Sequence, residues 1–304
     1  MPPLRVTVPG DFMAHAIHDE GVVRWLAGLP KLIDSVLTEW DLTTAGPVLT
    51  GKNAVVLLVA TDAGEPAALK IGWPHWEAEL EHLALRLWDG QGAVRLLRAD
   101  PHRFALLLER ADHRRDLNAL PVREACETVA GLYRQLHRPA TDQFVRLSVL
   151  AADWSRRLRL LRDHPSVPRR LVDRAASLAA TFATDPQTDG VLLHTDLHFD
   201  NVLGGTRTPW LAIDPKPLSG DPCYEVAPLL WNRWEEVTAS GGVRAAILDR
   251  LFTVVDAAEL DEDRVRDWVV VRQLVNVLWG LESPDPDQDW QTTSIVIAKA
   301  AQRG

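Results

Sequence analysis

The sequence predicts an α+β fold with a small strand-rich N-terminal lobe and a larger helical C-terminal lobe. Three observations carry this. A β-branched, apolar run turns and repeats between Ala54 and Ile71, long helical periodicity takes over beyond Ala111, and one short polar island of strand character interrupts the helices. In order, Ala14 to Trp40 reads as two short amphipathic helices broken at Gly28 and Pro30, with Trp25, Leu26, Leu32, Ile33, Val36 and Leu37 buried. Ala54–Ala60 and Ala67–Ile71 flank the turn-like Asp62-Ala63-Gly64-Glu65 and form a hairpin. Pro74 to Trp88 has helical spacing and stops at Asp89-Gly90, and Val94–Leu97 and Phe104–Leu108 are further strands. Val122–His137, Ser148–Asp163 and Pro168–Ala183 are helices punctuated by prolines. The island covers Val191–Leu203 and Trp210–Ile213, and Val226–Trp234, Val243–Ala257, Asp261–Leu281 and Trp290–Ala301 complete the helical part. The expected division is 1–45, a helical segment packed on the rest; 46–110, the β-rich lobe; and 111–304, the helical lobe.

Composition narrows the function. The 304 residues are 46% hydrophobic and 25% charged, which suits a globular chain and not a disordered one. Thirty-three basic against 42 acidic residues give a net charge of −9, so nucleic acid and anionic membrane are poor partners and small cations are better ones. No apolar run reaches the roughly 18 residues of a membrane span, and the N-terminus lacks the pattern of a signal peptide. Cys126 and Cys223 have no metal-ligand or redox spacing, which agrees with a reducing, cytoplasmic setting and leaves no zinc or disulfide framework.

The chemistry concentrates in the island. His194-Thr195-Asp196-Leu197-His198-Phe199-Asp200-Asn201 fits H-x-D-x-x-x-x-N and is followed by Leu211-Ala212-Ile213-Asp214. Phosphoryl transfer needs a carboxylate to orient and deprotonate a hydroxyl, and oxygen ligands to hold magnesium on the phosphates. Asp196 suits the first task, Asn201 and Asp214 the second. A lone Asp or His in such a loop is more often a turn former or a structural group, and that is the reading given to His198 and Asp200. Upstream, Lys70 ends a strand and Glu77 and Glu81 follow at i, i+4, an order that suits a phosphate lysine and its partner, although an exposed Lys beside an acidic helix would look the same. Gly46 to Asn53 lies where a phosphate-covering loop would be but lacks G-x-G-x-x-G.

These strings resemble the aminoglycoside phosphotransferase family, relatives of the protein kinases, in the branch of the streptomycin and hydroxyurea phosphotransferases. The resemblance runs through most of the chain: Ala67–Lys70, Trp88-Asp89-Gly90 with Ala93–Leu97, Leu106–Arg110, His194–Leu203, Trp210–Pro215, Gly220-Asp221-Pro222 and Asn276–Trp279. It implies a two-lobed protein-kinase-like fold, ATP with Mg2+, and transfer of the γ-phosphoryl to a small-molecule hydroxyl, of streptomycin or alternatively of hydroxyurea, a nucleoside antibiotic or another metabolite. Position by position it makes Asp196 the base, Asn201 and Asp214 the metal ligands, Lys70 the phosphate lysine and Glu81 its partner. Adenine would lie against Leu107 to Ala111, on the backbone of Leu108, Glu109 and Arg110.

The chain departs from the family pattern in three places. Thr195 stands where many relatives have Gly, Lys216 follows Asp214-Pro215 where protein kinases have Gly after Phe, and Glu225 stands where Asp is common. Glu225 is expected to tie down the loop around Asp196. Among 12 tryptophans, Trp231, Trp234 and Trp279 follow the catalytic strings. They are core by their spacing, or else they join Glu235, Glu236 and Glu282 in a pocket for a cationic acceptor.

Overall fold

The computed structural model describes residues 6–303 except 11, 14, 15, 17 and 18. The chain forms two compact units, one running through His113 and including Gly204–Leu211, the other made of Arg114–Leu203 and Ala212 onward.

In the first unit, helix α1 (Glu20–Glu39) precedes strands β1 (Thr43–Thr50), β2 (Ala54–Ala60) and β3 (Pro66–Gly72), helix α2 (Glu81–Trp88), and strands β4 (Leu96–Asp100) and β5 (Ala105–Glu109). The strands form one antiparallel sheet in the order β1-β2-β3-β5-β4. Alternation gives the sheet its two faces: Ala67, Leu69 and Ile71 join Val55, Leu57 and Val59 in one core with Leu29, Ile33 and Val36 of α1. Each Val, Leu or Ile side chain among them, wholly buried, contributes about 1.5–3 kcal/mol. Helix α1 is one helix, not the two expected, and the Ala14 start of that expectation lies outside the described residues. Gly28 and Pro30 both lie on its exposed side, so the apolar stripe runs on past them. Burial of that stripe outweighs the roughly 3 kcal/mol cost of an interior proline. Asp19 caps it, accepting from the Gly21 and Val22 N–H groups.

Helix α2 begins at Glu81, a full two turns after the expected Pro74, because residues 76–80 form turns. It stops where expected, with Asp89 left-handed at φ 46° and Gly90 at φ 78°. A Cβ on Gly90 would sit 2.5 Å from Arg95 Cγ and 3.0 Å from an Arg207 guanidinium nitrogen, so conformation and packing both demand glycine. Strand β6 (Asp112–Asp116) then carries the chain onward. Its sequence, Asp-His-Arg-Arg-Asp, has no apolar alternation, and periodicity gives no sign of it.

The second unit contains helix α3 (Val122–Leu136), strand β7 (Arg138–Pro139), helices α4 (Leu147–Leu160) and α5 (Arg169–Phe182), and strand β8 (Val191–Leu193). Strands β9 (Val202–Gly204) and β11 (Leu218–Gly220) follow, with β10 (Trp210–Ala212), most of which belongs to the first unit, between them in the chain, then helices α6 (Trp234–Ala239), α7 (Val243–Ala258), α8 (Glu262–Glu282) and α9 (Gln288–Ala301). Strand β8 lies between β7 and β11. Gly220 belongs there because a Cβ would meet Leu193 Cδ1 at 2.5 Å. Helix α8 is buried nearly all round, from Val265 and Trp268 to Val277 and Leu278, and is the core helix of this unit. The helix expected over Val226–Trp234 is instead a 3-10 stretch, Pro222–Leu230, followed by the short α6. Pro228, inside that stretch, removes a donor that an α-helix would need there. Among the described residues no helix is long and apolar enough to cross a membrane.

Candidate active site

Lys70 lies on β3, flanked across the sheet by Val56 and Leu106, and its alternation turns it away from the α1 core. Its ammonium meets both carboxylate oxygens of Glu81 at 2.6 Å, and both residues are buried. Glu81 opens α2, where the helix dipole favours a carboxylate. Of the two expected glutamates the lysine takes Glu81, because Glu77 falls in the turns before the helix.

In the second unit a three-residue strand, a tight loop and a return strand present the remaining groups. His194 is fully buried; its Nε2 donates to Ile213 O at 2.8 Å, and its Nδ1 accepts from the Asp196 N–H at 3.3 Å. Both bonds are those of a neutral ring, and burial holds its pKa below the ordinary value. Asn201 Nδ2 donates to the Asp196 carbonyl at 2.8 Å and lies 3.4 Å from its carboxylate Oδ2. With its nitrogen spent on Asp196, Asn201 keeps Oδ1 as the atom able to ligate a cation. The Ile213 N–H donates to Asn201 O at 2.9 Å, which sets Asp214 beside the loop.

The loop is braced from below. Thr195 holds φ at 62°, a costly state for a β-branched residue, on the order of 1–3 kcal/mol. Its N–H donates to Glu225 Oε1 at 2.5 Å and its hydroxyl to Lys216 O at 2.5 Å. Glu225 is buried; burial alone would raise its carboxyl, but the 2.6 Å bond to His137 Nε2 and the Thr195 N–H outweigh it and hold the pKa low. His137 is a residue the sequence reading missed. Asp200 and His198 also brace the loop. Asn118 Nδ2 donates to Asp200 Oδ1 at 2.7 Å, and His198 Nδ1 lies 3.1 Å from Asp200 Oδ2. Burial works against a charged His198, yet Asp200 and the nearby carboxylates of Asp196 and Asp214 raise its pKa.

Asp214 is left-handed at φ 56°, directly before Pro215, and Lys216 Nζ lies 2.8 Å from its Oδ2. Left-handed backbone at Thr195 and at Asp214 flanks one hydrogen-bonded cluster, the kind of strain that gathers at functional loops. Asn201 Oδ1 and the Asp214 carboxylate are hard oxygen donors of the kind magnesium takes. Among the described residues no cluster of three or more His, Cys, Asp or Glu is arranged to hold a metal. Such a set suits a cation that arrives with phosphate oxygens of its own.

The family model for aminoglycoside/hydroxyurea antibiotic resistance kinases matches residues 39–283. The chain belongs to this family. Streptomycin 6-kinase of Streptomyces glaucescens is 35% identical over 293 residues, 94% of this chain and 93% of that protein. The hydroxyurea phosphotransferase of Kitasatospora aureofaciens is 36% identical, with 97% of this chain and 87% of that protein covered. Among solved structures, an aminoglycoside phosphotransferase variant in a ternary complex with AMP-PNP and hygromycin B superposes with TM-score 0.59 at 16% identity, over 90% of this chain and 98% of that one. A choline/ethanolamine kinase family protein from Mesorhizobium loti gives 0.57 at 17%, over 89% and 94%. At those identities the structural matches show the fold alone, and that fold is the two-lobed kinase-like one.

In this kinase the segment expected to meet adenine is partly occupied by its own lobe. Leu108 is paired on both sides, with Ala68 and Leu96, and the Glu109 N–H donates to Arg95 O at 2.8 Å. The Glu109 carboxylate accepts from Arg207 at 2.9 to 3.1 Å and from the Arg95 N–H. Arg110 and Ala111 lie between β5 and β6. Four of the residues expected to receive a cationic acceptor, Trp231, Glu236, Trp279 and Glu282, are engaged within the chain. Arg233 binds Glu236, Arg157 binds Glu282, and the Arg272 guanidinium lies 4.9 Å from the Trp279 ring centre. Trp279 packs edge-on against Trp154, and Trp231 against Trp290. Burial pushes the Cys126 thiol up to about 11 and Cys223 up to about 12, so neither is a nucleophile at neutral pH.

Proposed function

We propose that this kinase transfers the γ-phosphoryl of ATP to a hydroxyl of an aminoglycoside, with streptomycin the first candidate and hydroxyurea, a nucleoside antibiotic or another small hydroxyl metabolite the alternative. The observation that carries it is the loop itself: Asp196, backed by a neutral buried His194, lies within the reach of Asn201 Nδ2, and Ile213, directly before Asp214, is hydrogen-bonded to Asn201.

Asp196 accepts the proton of the acceptor hydroxyl as its oxygen attacks the γ-phosphorus and the bond to the bridging β-phosphate oxygen breaks, with ADP as the leaving group. Its carboxylate is aimed by bonds at both ends of the residue, the N–H on His194 and the carbonyl on Asn201, so it loses little freedom when the acceptor arrives. Asn201 and Asp214 would hold magnesium, which when bound neutralises charge on the phosphate oxygens. Lys70, fixed by Glu81, supplies positive charge to the phosphates, and the adenine edge pairs with backbone at Arg110 and Ala111, where the strand pairing of β5 has ended. Glu225 and His137 act through the loop and touch neither substrate.

The test is steady-state turnover with Mg-ATP and each acceptor in turn, following ADP and the phosphorylated product by mass. Acceptor-dependent ADP release with a monophosphorylated product supports the reading. ADP release indifferent to every acceptor would sink it.

A further inference from the structure

Lys216 is placed by more bonds than any surface lysine needs. Its backbone N–H donates to His194 O at 2.9 Å and its carbonyl accepts from the Thr195 hydroxyl at 2.5 Å, so its Cα is fixed to the residues that precede Asp196. From that anchor its ammonium reaches Asp214 Oδ2 at 2.8 Å and the Asp214 carbonyl at 3.3 Å, with its side chain largely buried. Asp214 in turn is locked in a left-handed backbone, two residues before Lys216. The pair is therefore built into the loop, unlike an ion pair formed by two mobile side chains.

Kinases of this general architecture place two divalent ions on the phosphates, held by an aspartate and an asparagine in the positions of Asp214 and Asn201. A carboxylate has two oxygens, and here a fixed cation already sits on one of them. We propose that Lys216 is the second cation of the phosphoryl-transfer centre, and that the kinase binds a single divalent ion with each nucleotide. An ammonium cannot leave with the product as a metal ion can, so one positive charge stays at Asp214 through every turnover. The inference rests on the kinase reading and on the assignment of Asp214 to the metal, and it deepens both by fixing the cation count.

The experiment counts bound Mn2+ by electron paramagnetic resonance in the presence of saturating AMP-PNP, whose own binding is measured by calorimetry in the same samples. Wild type is expected to hold one Mn2+ per bound nucleotide. Lys216→Met, which keeps the aliphatic stem, is expected to hold two, and Lys216→Arg, which keeps the charge, one. Lys216→Ala serves as a second neutral variant should the Met side chain disturb the fold, which a melting curve would reveal. Two Mn2+ in wild type, or one in both neutral variants, overturns the proposal. AMP-PNP binding with no Mn2+ at all overturns the metal assignment beneath it, and absence of AMP-PNP binding overturns the kinase reading itself.

Discussion

Two side chains in the loop from His194 to Asn201 give opposite kinds of test. Asp196→Asn keeps the shape and the backbone bonds but cannot accept a proton, so kcat should fall by about 10² to 10⁴ while ATP affinity stays within a few-fold; near-normal turnover would remove Asp196 from the mechanism. His194 instead reports on folding. Burial holds its folded pKa below the ordinary 6.5, so as pH falls from 6.5 toward that value the unfolded chain binds more protons and stability is lost. Glu225, held below 4.5, adds a further loss under more acidic conditions. His198 is raised and acts in the opposite sense, so the diagnostic quantity is a difference: Tm measured from pH 8 to 5 should fall less steeply in His194→Asn than in wild type. Parallel slopes would mean that His194 is not neutral in the fold. At this scale the sequence was legible wherever partners lie within a few positions of each other. Asp196, Asn201 and Asp214 share one loop and its return, whereas Glu225, 30 residues from the Thr195 it holds, is expected as the tether only through the family pattern. His137, 88 residues before Glu225, carries no local signal, and neither does Arg207, 98 residues after the Glu109 it binds.

Among the elements, the pairing of β3 with the start of α2 makes the sharpest prediction. Lys70 and Glu81 are both buried, so removing one partner strands a charge. Glu81→Leu or Lys70→Met alone should cost about 3–5 kcal/mol, the usual penalty for breaking a buried pair, whereas the two together should recover most of the stability. Urea unfolding of the two single variants and the double variant measures the coupling; additive losses would show that the pair contributes nothing as a pair. Activity should remain low in the double variant, since the ammonium is gone. Elements with strong periodicity were readable, among them the β2–β3 hairpin with its Gly64 turn and the long helices α3, α5, α7 and α8. Those set by tertiary context were not. Helix α1 continues through Pro30 because its buried stripe is uninterrupted, β6 has no apolar residue to announce it, and Pro228 turns the stretch after Asp221 to 3-10 geometry. The Gly220-Asp221-Pro222 string also takes its meaning from packing: the Asp221 carboxylate receives Trp268 Nε1 at 2.6 Å and Arg264, tying that stretch to α8.

For the whole molecule the remaining question is the acceptor, and sequence similarity leaves it open, because relatives named for streptomycin and for hydroxyurea are 35% and 36% identical to this chain. Individual carboxylates on the later helices leave it open too, since Glu236 and Glu282 already hold arginines of the chain. What distinguishes the two acceptors is their charge. Streptomycin is a polycation carrying guanidinium groups, and hydroxyurea is neutral and small. A protein with a net charge of −9 attracts the first by its long-range field and is indifferent to the second. That field is screened by salt, with a Debye length of about 30 Å at 0.01 M and about 3 Å at 1 M. In one preparation, kcat/KM should therefore be higher for streptomycin than for hydroxyurea at low ionic strength and should decline as salt is raised, mainly through KM. The value for hydroxyurea should hardly move. A streptomycin rate independent of salt would place recognition in short-range contacts alone, and a preference for hydroxyurea at every salt concentration would transfer the acceptor assignment to the alternative while the roles of Asp196, Asn201 and Asp214 stood.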